Sequence, residues 1–161
     1  MEASLGIDLN STKQMSQYLA KVLADTYLLY TKTQNFHWNV IDPRFYSLHK
    51  LLEAQYKELA EALDDIAERI RMLNHKTPAT LGSFLKLSSL KESYDDLSGD
   101  EMLLQLLQDH ETVIRNIRTQ IEQSTPLKDE GTIDLFIDRL RAHEKMAWML
   151  RSHFESQVKI N

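Results

Sequence analysis

No proline or glycine interrupts the chain between Pro43 and Pro78, and this is the feature that most limits its fold. These two residue types are the ones that most strongly disfavour a helix interior. Asp42 followed by Pro43 is typical of a helix start, because aspartate caps free N–H groups and proline has no N–H to leave unpaired. The sequence therefore predicts one long amphipathic helix from about Pro43 to about Leu73.

One face of this helix carries side chains of the types that bind metal ions in proteins. Within an arc of about 100° lie four of them: His49, Glu53, Asp64 and Glu68. His49 and Asp64 are about 22 Å apart along a straight helix, so they cannot bind the same ion within one chain. A second copy lying antiparallel across this face, with its two-fold axis near Tyr56 and Lys57, would bring His49 beside the acids of its partner. Such a contact generates two equivalent sites.

The chemical types of the side chains on this face limit which metal ions could bind there. Imidazole and carboxylate groups without thiolates suit iron(II), manganese or zinc, and they do not form the closed cage of a structural zinc site. Two acids four residues apart repel each other on a helix, and a bound cation reverses that cost. The alternative is that the acids form a solvated helix face and the histidines are ordinary core or surface groups. Spacing alone leaves both interpretations open.

The composition favours a single helical domain without disulfides. The 161 residues are 42% hydrophobic and 27% charged, and only 4 glycines and 3 prolines interrupt them. Cysteine is absent, which excludes thiolate chemistry. The first residues lack the basic and apolar regions of a signal peptide, and no apolar run has the length of a membrane span. We therefore expect a cytoplasmic protein.

Four long amphipathic helices are predicted, following a short mobile arm at residues 1–10. Their expected ranges are, in order, Ser11 or Thr12 to His37–Asn39, Pro43 to Leu73, Ser98 or Asp100 onward, and Asp129 to Val158. A short helix or turn at Ser83–Leu90 crosses between the second and third. Residues 11–158 are thus expected to form one all-α domain, a four-helix bundle with a crossover helix. No histidine has a glutamate three residues before it, which argues against a di-iron centre inside one chain.

Several segments, taken together and in order, resemble one known family. They are FHWNV at residues 36–40, FYSLH at 45–49, DDIAER at 64–69 and DEGTIDLFIDRLRAHEKMAWMLRSH at 129–153. This set is similar to the Dps proteins, the mini-ferritins that protect DNA in starved bacteria. The resemblance covers most of the chain and is sharpest in residues 35–71 and 129–153. It implies a ferritin-like bundle assembled into a hollow dodecamer.

The resemblance also implies a di-iron ferroxidase site at a two-fold dimer interface. Its implied iron ligands are His37, His49 and Glu53 of one subunit with Asp64 and Glu68 of the other. Many relatives have aspartate where this chain has Glu53. The implied reaction is the oxidation of Fe(II), preferably by hydrogen peroxide, and the product is stored as Fe(III) mineral inside the shell.

Two further groups of residues have a functional and a structural interpretation. An acidic run, made of Asp129, Asp134 and Asp138, lines by resemblance the pores through which iron enters the shell. Acids in the first turns of a helix also complement its dipole, which is the structural alternative. Trp38, beside His37, is a candidate electron donor near oxidising iron, as is Trp148. The alternative for both tryptophans is a place in the core, and it is the favoured one for Trp148.

Direct DNA binding is not favoured by the charge pattern. The formal net charge is -5, the first seventeen residues contain only Lys13 as a basic side chain, and only Lys159 follows Arg151. Neutralising phosphates requires several lysines or arginines. The alternative function is nevertheless a DNA-binding nucleoid or structural protein with a vestigial metal site. We expect DNA to bind weakly or not at all at neutral pH, and weak binding below about pH 6.5, where histidines begin to protonate, is compatible with this expectation.

Overall fold

The computed structural model describes residues 3–94 and 96–154, and within them the chain is helical with no β-strand. Five α-helices follow one another, with a short 3-10 turn at Thr125–Leu127 before the last. They are α1 (Leu9–Asn39), α2 (Phe45–Met72), α3 (Leu81–Leu87), α4 (Gly99–Ser124) and α5 (Glu130–Arg151). The predicted all-α bundle with a crossover helix is confirmed. Within the described residues, none of the helices combines the length and the apolar character that a membrane span requires.

Side-chain pairs define the directions of the four long helices. Lys32 of α1 pairs with Asp109 of α4, and Asp25 of α1 binds Asn116 further along α4, so these two helices are antiparallel. The tight turn at residues 40–44 makes α1 and α2 antiparallel as well. Because α2 and α4 therefore run in the same direction, the chain must return along the bundle between them. Residues 73–98, including α3, make that return.

One apolar stripe from each long helix forms the core. On α2 the stripe is regular, with buried residues that recur at three- and four-residue spacing: Leu48, Leu52, Gln55, Leu59, Ala62, Ile66 and Ile70. The largest fully buried side chains of α1 include Met15, Leu19, Leu29 and Phe36, and Phe136 contributes from α5. Burying a side chain of this size stabilises the fold by about 1.5–3 kcal/mol. This burial determines which face of each helix turns outward.

Local side-chain caps define the starts of several helices. Helix α1 begins at Leu9, capped by the Asp8 carboxylate, which accepts the Ser11 N–H at 3.0 Å. The predicted start at Ser11 or Thr12 is therefore wrong, and residues 1–2 of the predicted arm lie outside the described residues. Ser98 does cap α4, through a reciprocal box with Glu101. The crossover helix begins two residues before the predicted Ser83 and ends at Leu87.

The start of α2 is also displaced from the prediction. Pro43 lies in the preceding turn, and the Asp42 side chain accepts the Arg44 N–H at 2.8 Å instead of capping the helix. The Arg44 guanidinium binds both Asp42 and Asp100, so it joins this turn to the first residues of α4. A side chain at Gly99 would collide with the Asp42 carboxylate, which explains the glycine there.

Helix α5 ends at Arg151, seven residues before the predicted end at Val158. The Ser152 hydroxyl donates to the Trp148 carbonyl at 2.9 Å, and the N–H of Ser152 also bonds that carbonyl. The chain continues in turns from Ser152 to Phe154. Residues 155–158 lie outside the described residues.

The Asp25 carboxylate holds the crossover segment against the bundle. It is 3% exposed and accepts hydrogen bonds from Ser88 Oγ at 2.8 Å and from the Ser89 N–H at 2.7 Å. Ser89 Oγ and Asn116 Nδ2 donate to it as well. These donors come from the crossover and from α4, whereas Asp25 belongs to α1. One buried charge thus joins three segments, and its donors offset the cost of its burial.

We expect Asp25→Ala to lower the free energy of unfolding by about 2–4 kcal/mol, because it leaves buried donors unpaired. Urea unfolding followed by circular dichroism measures this. Asp65→Ala, at an exposed acid on α2, is the matched control and should change stability by less than about 0.5 kcal/mol. Equal effects of the two substitutions would show that Asp25 does not hold the crossover.

Candidate metal site

Two histidines meet where α1 ends and α2 begins. The rings of His37 and His49 are stacked, with centroids 3.8 Å apart and planes inclined by 19°. Nδ1 of His37 lies 2.9 Å from the His49 carbonyl, and Nδ1 of His49 lies 2.9 Å from the His37 carbonyl. Each ring is therefore oriented by the backbone of the other. His37 is 7% exposed and His49 is half-buried.

This reciprocal arrangement determines the tautomer of both rings. A carbonyl oxygen only accepts, so each Nδ1 must carry the proton and donate it. Each Nε2 then keeps its lone pair. A neutral imidazole whose Nδ1–H is bound to a carbonyl is the usual form of a histidine that binds a metal through Nε2. The pair is thus chemically suited to borderline divalent cations.

Aromatic side chains enclose the two rings. Phe45 stacks on His49 with a centroid distance of 5.0 Å, and Tyr56 meets the His37 ring edge-on at 5.1 Å. Tyr56 was not predicted to lie beside the histidines. The sequence does indicate this position, because Tyr56 follows His49 by seven residues and two helical turns bring such residues to one face. These rings restrict the orientation of both imidazoles.

The third proposed ligand, Glu53, is bound by two lysines. Its carboxylate oxygens accept hydrogen bonds from Lys50 Nζ and Lys57 Nζ, each at 2.8 Å. These bonds, first from Lys50 and then from Lys57, lower the pKa of Glu53 to about 2. Glu53 is thus ionised at neutral pH, but a cation has to displace at least one lysine to reach it. These two contacts could have been predicted from the sequence, since Lys50 and Lys57 lie three and four residues from Glu53 and such residues are neighbours on a helix.

The other two proposed ligands lie further along α2. Asp64 and Glu68 are both exposed, and no hydrogen bond or ion pair to either side chain occurs within residues 3–94 and 96–154. The straight helix separates Asp64 from His49 by about 22 Å. Across the same ranges, no three histidine, aspartate or glutamate side chains form a group able to hold a metal ion. The structure joins His37 to His49 but does not bring the acids to them within one chain.

Asp129 differs from the other two members of the acidic run. It is 2% exposed, caps α5 through the Thr132 N–H, and accepts a hydrogen bond from Arg69 Nη2 at 2.6 Å. A buried and paired carboxylate contributes little to a pore lining, so the expected pore role of Asp129 is corrected to a helix cap. Asp134 and Asp138 are exposed on α5, and Asp138 pairs with Arg141.

Both tryptophans lie on the surface of the chain. Trp38 is 66% exposed and Trp148 is 58% exposed. The core position, which was the favoured interpretation for Trp148, is therefore wrong. Trp38 is accompanied by other exposed apolar side chains at the same corner of the bundle, namely Ile41, Phe45 and Tyr46. An apolar surface of this kind beside polar ligands is typical of a contact with another protein chain.

Comparison with known proteins agrees with this fold. A ferritin-like domain family matches residues 16–158. A low-temperature-induced protein of Nostoc sp. is 40% identical over 156 residues, which cover 96% of this chain and 87% of that protein. The DNA protection during starvation protein 2 of Bacillus anthracis is 36% identical over 140 residues, covering 87% of this chain and 96% of that one.

Solved structures of similar proteins show the same bundle. DpsC from Streptomyces coelicolor has a TM-score of 0.93 at 26% identity and covers 100% of this chain and 95% of its own. The Vibrio cholerae Dps protein, described as a member of a superfamily of ferritin-like diiron-carboxylate proteins, has a TM-score of 0.89 at 28% identity. Their alignment covers 95% of this chain and 97% of that chain. The chain therefore belongs to the Dps family of ferritin-like proteins.

Proposed function

We propose that the protein stores and detoxifies iron, and that it oxidises Fe(II) at sites shared between two subunits. The observation that carries this proposal is the orientation of His37 and His49. Both rings use Nδ1 to bind a backbone carbonyl, so both Nε2 atoms are free to bind a cation. Membership of the ferritin-like family and the diiron-carboxylate description of the Vibrio cholerae neighbour support iron as the substrate.

A second copy supplies the remaining ligands in this proposal. With two α2 helices antiparallel and the two-fold axis near Tyr56 and Lys57, the histidines of one subunit face Asp64 and Glu68 of the other. Two equivalent sites result. The separation of the ligands along α2 supports this assignment, because one chain cannot complete the site. The exposed apolar side chains around Trp38 give the two copies a surface to bury.

The chemistry of the proposed site concerns two Fe(II) ions and one molecule of hydrogen peroxide. Each Fe(II) loses one electron, the peroxide accepts both, its O–O bond breaks, and two protons complete two water molecules. No hydroxyl radical is released when both electrons arrive together. The histidines and carboxylates position the ions and leave coordination sites open. In this proposal Glu53 joins them when a cation displaces Lys50 or Lys57, and Trp38 supplies an electron if only one ion is bound.

The oligomer in this proposal is a hollow dodecamer in the cytoplasm, with Fe(III) mineral inside. Asp134 and Asp138 of neighbouring subunits line the pores through which Fe(II) enters. Their exposure on α5 supports this role, since a ring of carboxylates concentrates cations by focusing the electric field. Asp138 also pairs with Arg141, which reduces its share of that field.

The second candidate function is direct binding of DNA. The name of the Bacillus anthracis relative, DNA protection during starvation protein 2, favours a role at DNA. The charge of this chain opposes direct contact, because its net charge of -5 repels phosphates and the first seventeen residues contain one basic side chain. Removal of iron and peroxide protects DNA without contact between the protein and DNA, and we propose this indirect protection.

The shared site predicts complementation between inactive subunits. His49→Ala and Asp64→Ala each disable both sites of their own dimer. In a mixed dimer, one site loses both residues and the other keeps both. Random mixing makes half of the dimers mixed, so about a quarter of the wild-type sites should return. Co(II) binding measured by its absorption spectrum reports these sites without any oxidation step, and the rate of Fe(II) oxidation reports their activity.

The matched control mixes His37→Ala subunits with His49→Ala subunits. Both residues belong to the same half of the proposed site, so every mixed dimer keeps one defect in each site. No recovery is expected. Equal recovery in the two mixtures, or none in either after confirmed mixing by native mass spectrometry, would contradict a site divided between His49 and Asp64.

The proposed pores predict a defect in uptake at low iron. Asp134→Asn combined with Asp138→Asn should slow Fe(II) uptake by about threefold or more at micromolar Fe(II), and raising the ionic strength should narrow the difference. Stopped-flow absorbance of Fe(III) formation measures it. Asp96→Asn with Glu122→Gln removes two exposed charges elsewhere and should leave uptake unchanged. Equal rates in all three proteins would contradict the pore role and favour the alternative, in which Asp134 and Asp138 complement the dipole of α5.

The charge pattern predicts no stable complex with DNA at neutral pH. A gel-shift titration of duplex DNA at pH 7.5 and moderate salt should show free DNA throughout. The matched positive control is the same protein with several lysines added before Met1, which should shift the DNA in a salt-sensitive manner. A tight, salt-sensitive shift with the unmodified chain would mean that separate helices assemble a basic surface, and it would favour the second candidate function.

A further inference from the structure

A second pair of histidines lies in the centre of the bundle. His110 of α4 and His143 of α5 are both 0% exposed, and their Nδ1 atoms are 2.9 Å apart. Both Nε2 atoms are buried, with no hydrogen-bond partner within the described ranges. This pair takes no part in the proposed metal site. This contact joins the buried faces of α4 and α5.

The short Nδ1–Nδ1 distance defines where the protons are. A hydrogen bond between two nitrogen atoms needs one N–H and one lone pair. One imidazole therefore donates from Nδ1 and keeps a lone pair on Nε2, while the other accepts at Nδ1 and carries its proton on Nε2. Both rings are neutral in this state. Burial and the nearby Arg139 charge lower the pKa of His110 and of His143, so acid does not readily protonate either ring in the folded protein.

We propose that His110 and His143 form a buried pair that stays neutral in the folded bundle and takes up protons only on unfolding, so that acid unfolds the bundle. In the folded bundle, a first proton could enter only at the free Nε2 of the donating ring, where it would bring a charge into the core beside no hydrogen-bond partner among the described residues. A second proton has to occupy the Nδ1 that accepts this bond, so two N–H groups would then oppose each other. The bond between α4 and α5 breaks, and two like charges remain in the core.

The surrounding charges do not stabilise a protonated pair. Arg139 of α5 is 7% exposed and pairs with Glu58 of α2, while Lys32 of α1 pairs with Asp109 beside His110. Each of these carboxylates is already bound to a cation. Within the described residues, no carboxylate forms a hydrogen bond with either imidazole. The core thus offers no counter-charge, and protonation favours the unfolded chain.

The direction of the pH effect follows from the lowered pKa values. An unfolded histidine takes up a proton near pH 6.5, whereas the buried pair stays neutral in the folded protein. Stability from this pair is complete above about pH 6.5 and is lost as the pH falls below it. Each histidine makes the unfolding constant rise up to about tenfold per pH unit, so the pair gives up to about a hundredfold.

The experiment measures the unfolding constant of the assembled protein from pH 7 to 4.5, by urea unfolding at fixed concentration. The protons taken up on unfolding should fall by about one in His143→Gln and by about two in His110→Leu/His143→Leu, relative to wild type. Glutamine at 143 keeps a hydrogen-bonding group but does not titrate. His153→Gln, at a half-buried histidine just beyond α5, is the matched control and should leave proton uptake nearly unchanged.

A second measurement applies if the double variant does not fold. Histidine-specific hydrogen–deuterium exchange, read by mass spectrometry in the wild-type protein, reports the protonation of each ring. His110 and His143 should remain neutral down to the pH at which the helices are lost. Protonation of either ring near pH 6.5 in the folded protein, or equal proton uptake in wild type and the His143→Gln variant, would overturn the proposal.

Discussion

The burial of one apolar stripe of α2 determines most of what this chain presents to its surroundings. Leu48, Leu52 and Leu59 are completely buried, and the stripe continues to Ile70 at the same helical spacing. A helix with one fixed buried face has its opposite face fixed as well. Asp64 and Glu68 lie on that outer face, about 140° and 180° from Leu59 at about 100° per residue. The core thus orients two proposed ligands that lie on the opposite face of the helix.

The long helices could be predicted from the sequence because their periodic stripes depend on the chain alone. The role of some residues at their ends could not, because distant partners decide it. Arg69 of α2 binds Asp129 and Thr132 at the start of α5, and this contact converts an expected pore acid into a buried cap. A side chain at Gly131 would come within 3.0 Å of Arg69 Nη2, so the glycine belongs to the same arrangement. No local pattern reports a partner sixty residues away.

The candidate site also has features that could be predicted from the sequence and features that could not. The family resemblance predicted that His37 and His49 belong to one site. The structure adds the backbone carbonyl that each Nδ1 binds, which determines the chemistry of each ring. The lysine clamp on Glu53 was available from three- and four-residue spacing, but spacing does not tell whether a lysine binds a neighbouring acid or solvent. The exposure of Trp148 could not be predicted either, because an aromatic residue within an amphipathic helix is usually buried.

Two histidine pairs in one bundle show how the bound nitrogen decides the chemistry of an imidazole. In the pair at the α1–α2 corner, carbonyl oxygens take both Nδ1 protons, so both rings keep a free Nε2 lone pair. In the pair between α4 and α5, the two Nδ1 atoms bind each other, and the lone pair that remains on Nε2 is enclosed by the core. The first arrangement suits a cation that arrives from outside with a second subunit. In the second, added protons bring charge into the core without a counter-charge. The difference lies in the backbone carbonyls within reach, which is why residue type alone cannot distinguish the two pairs.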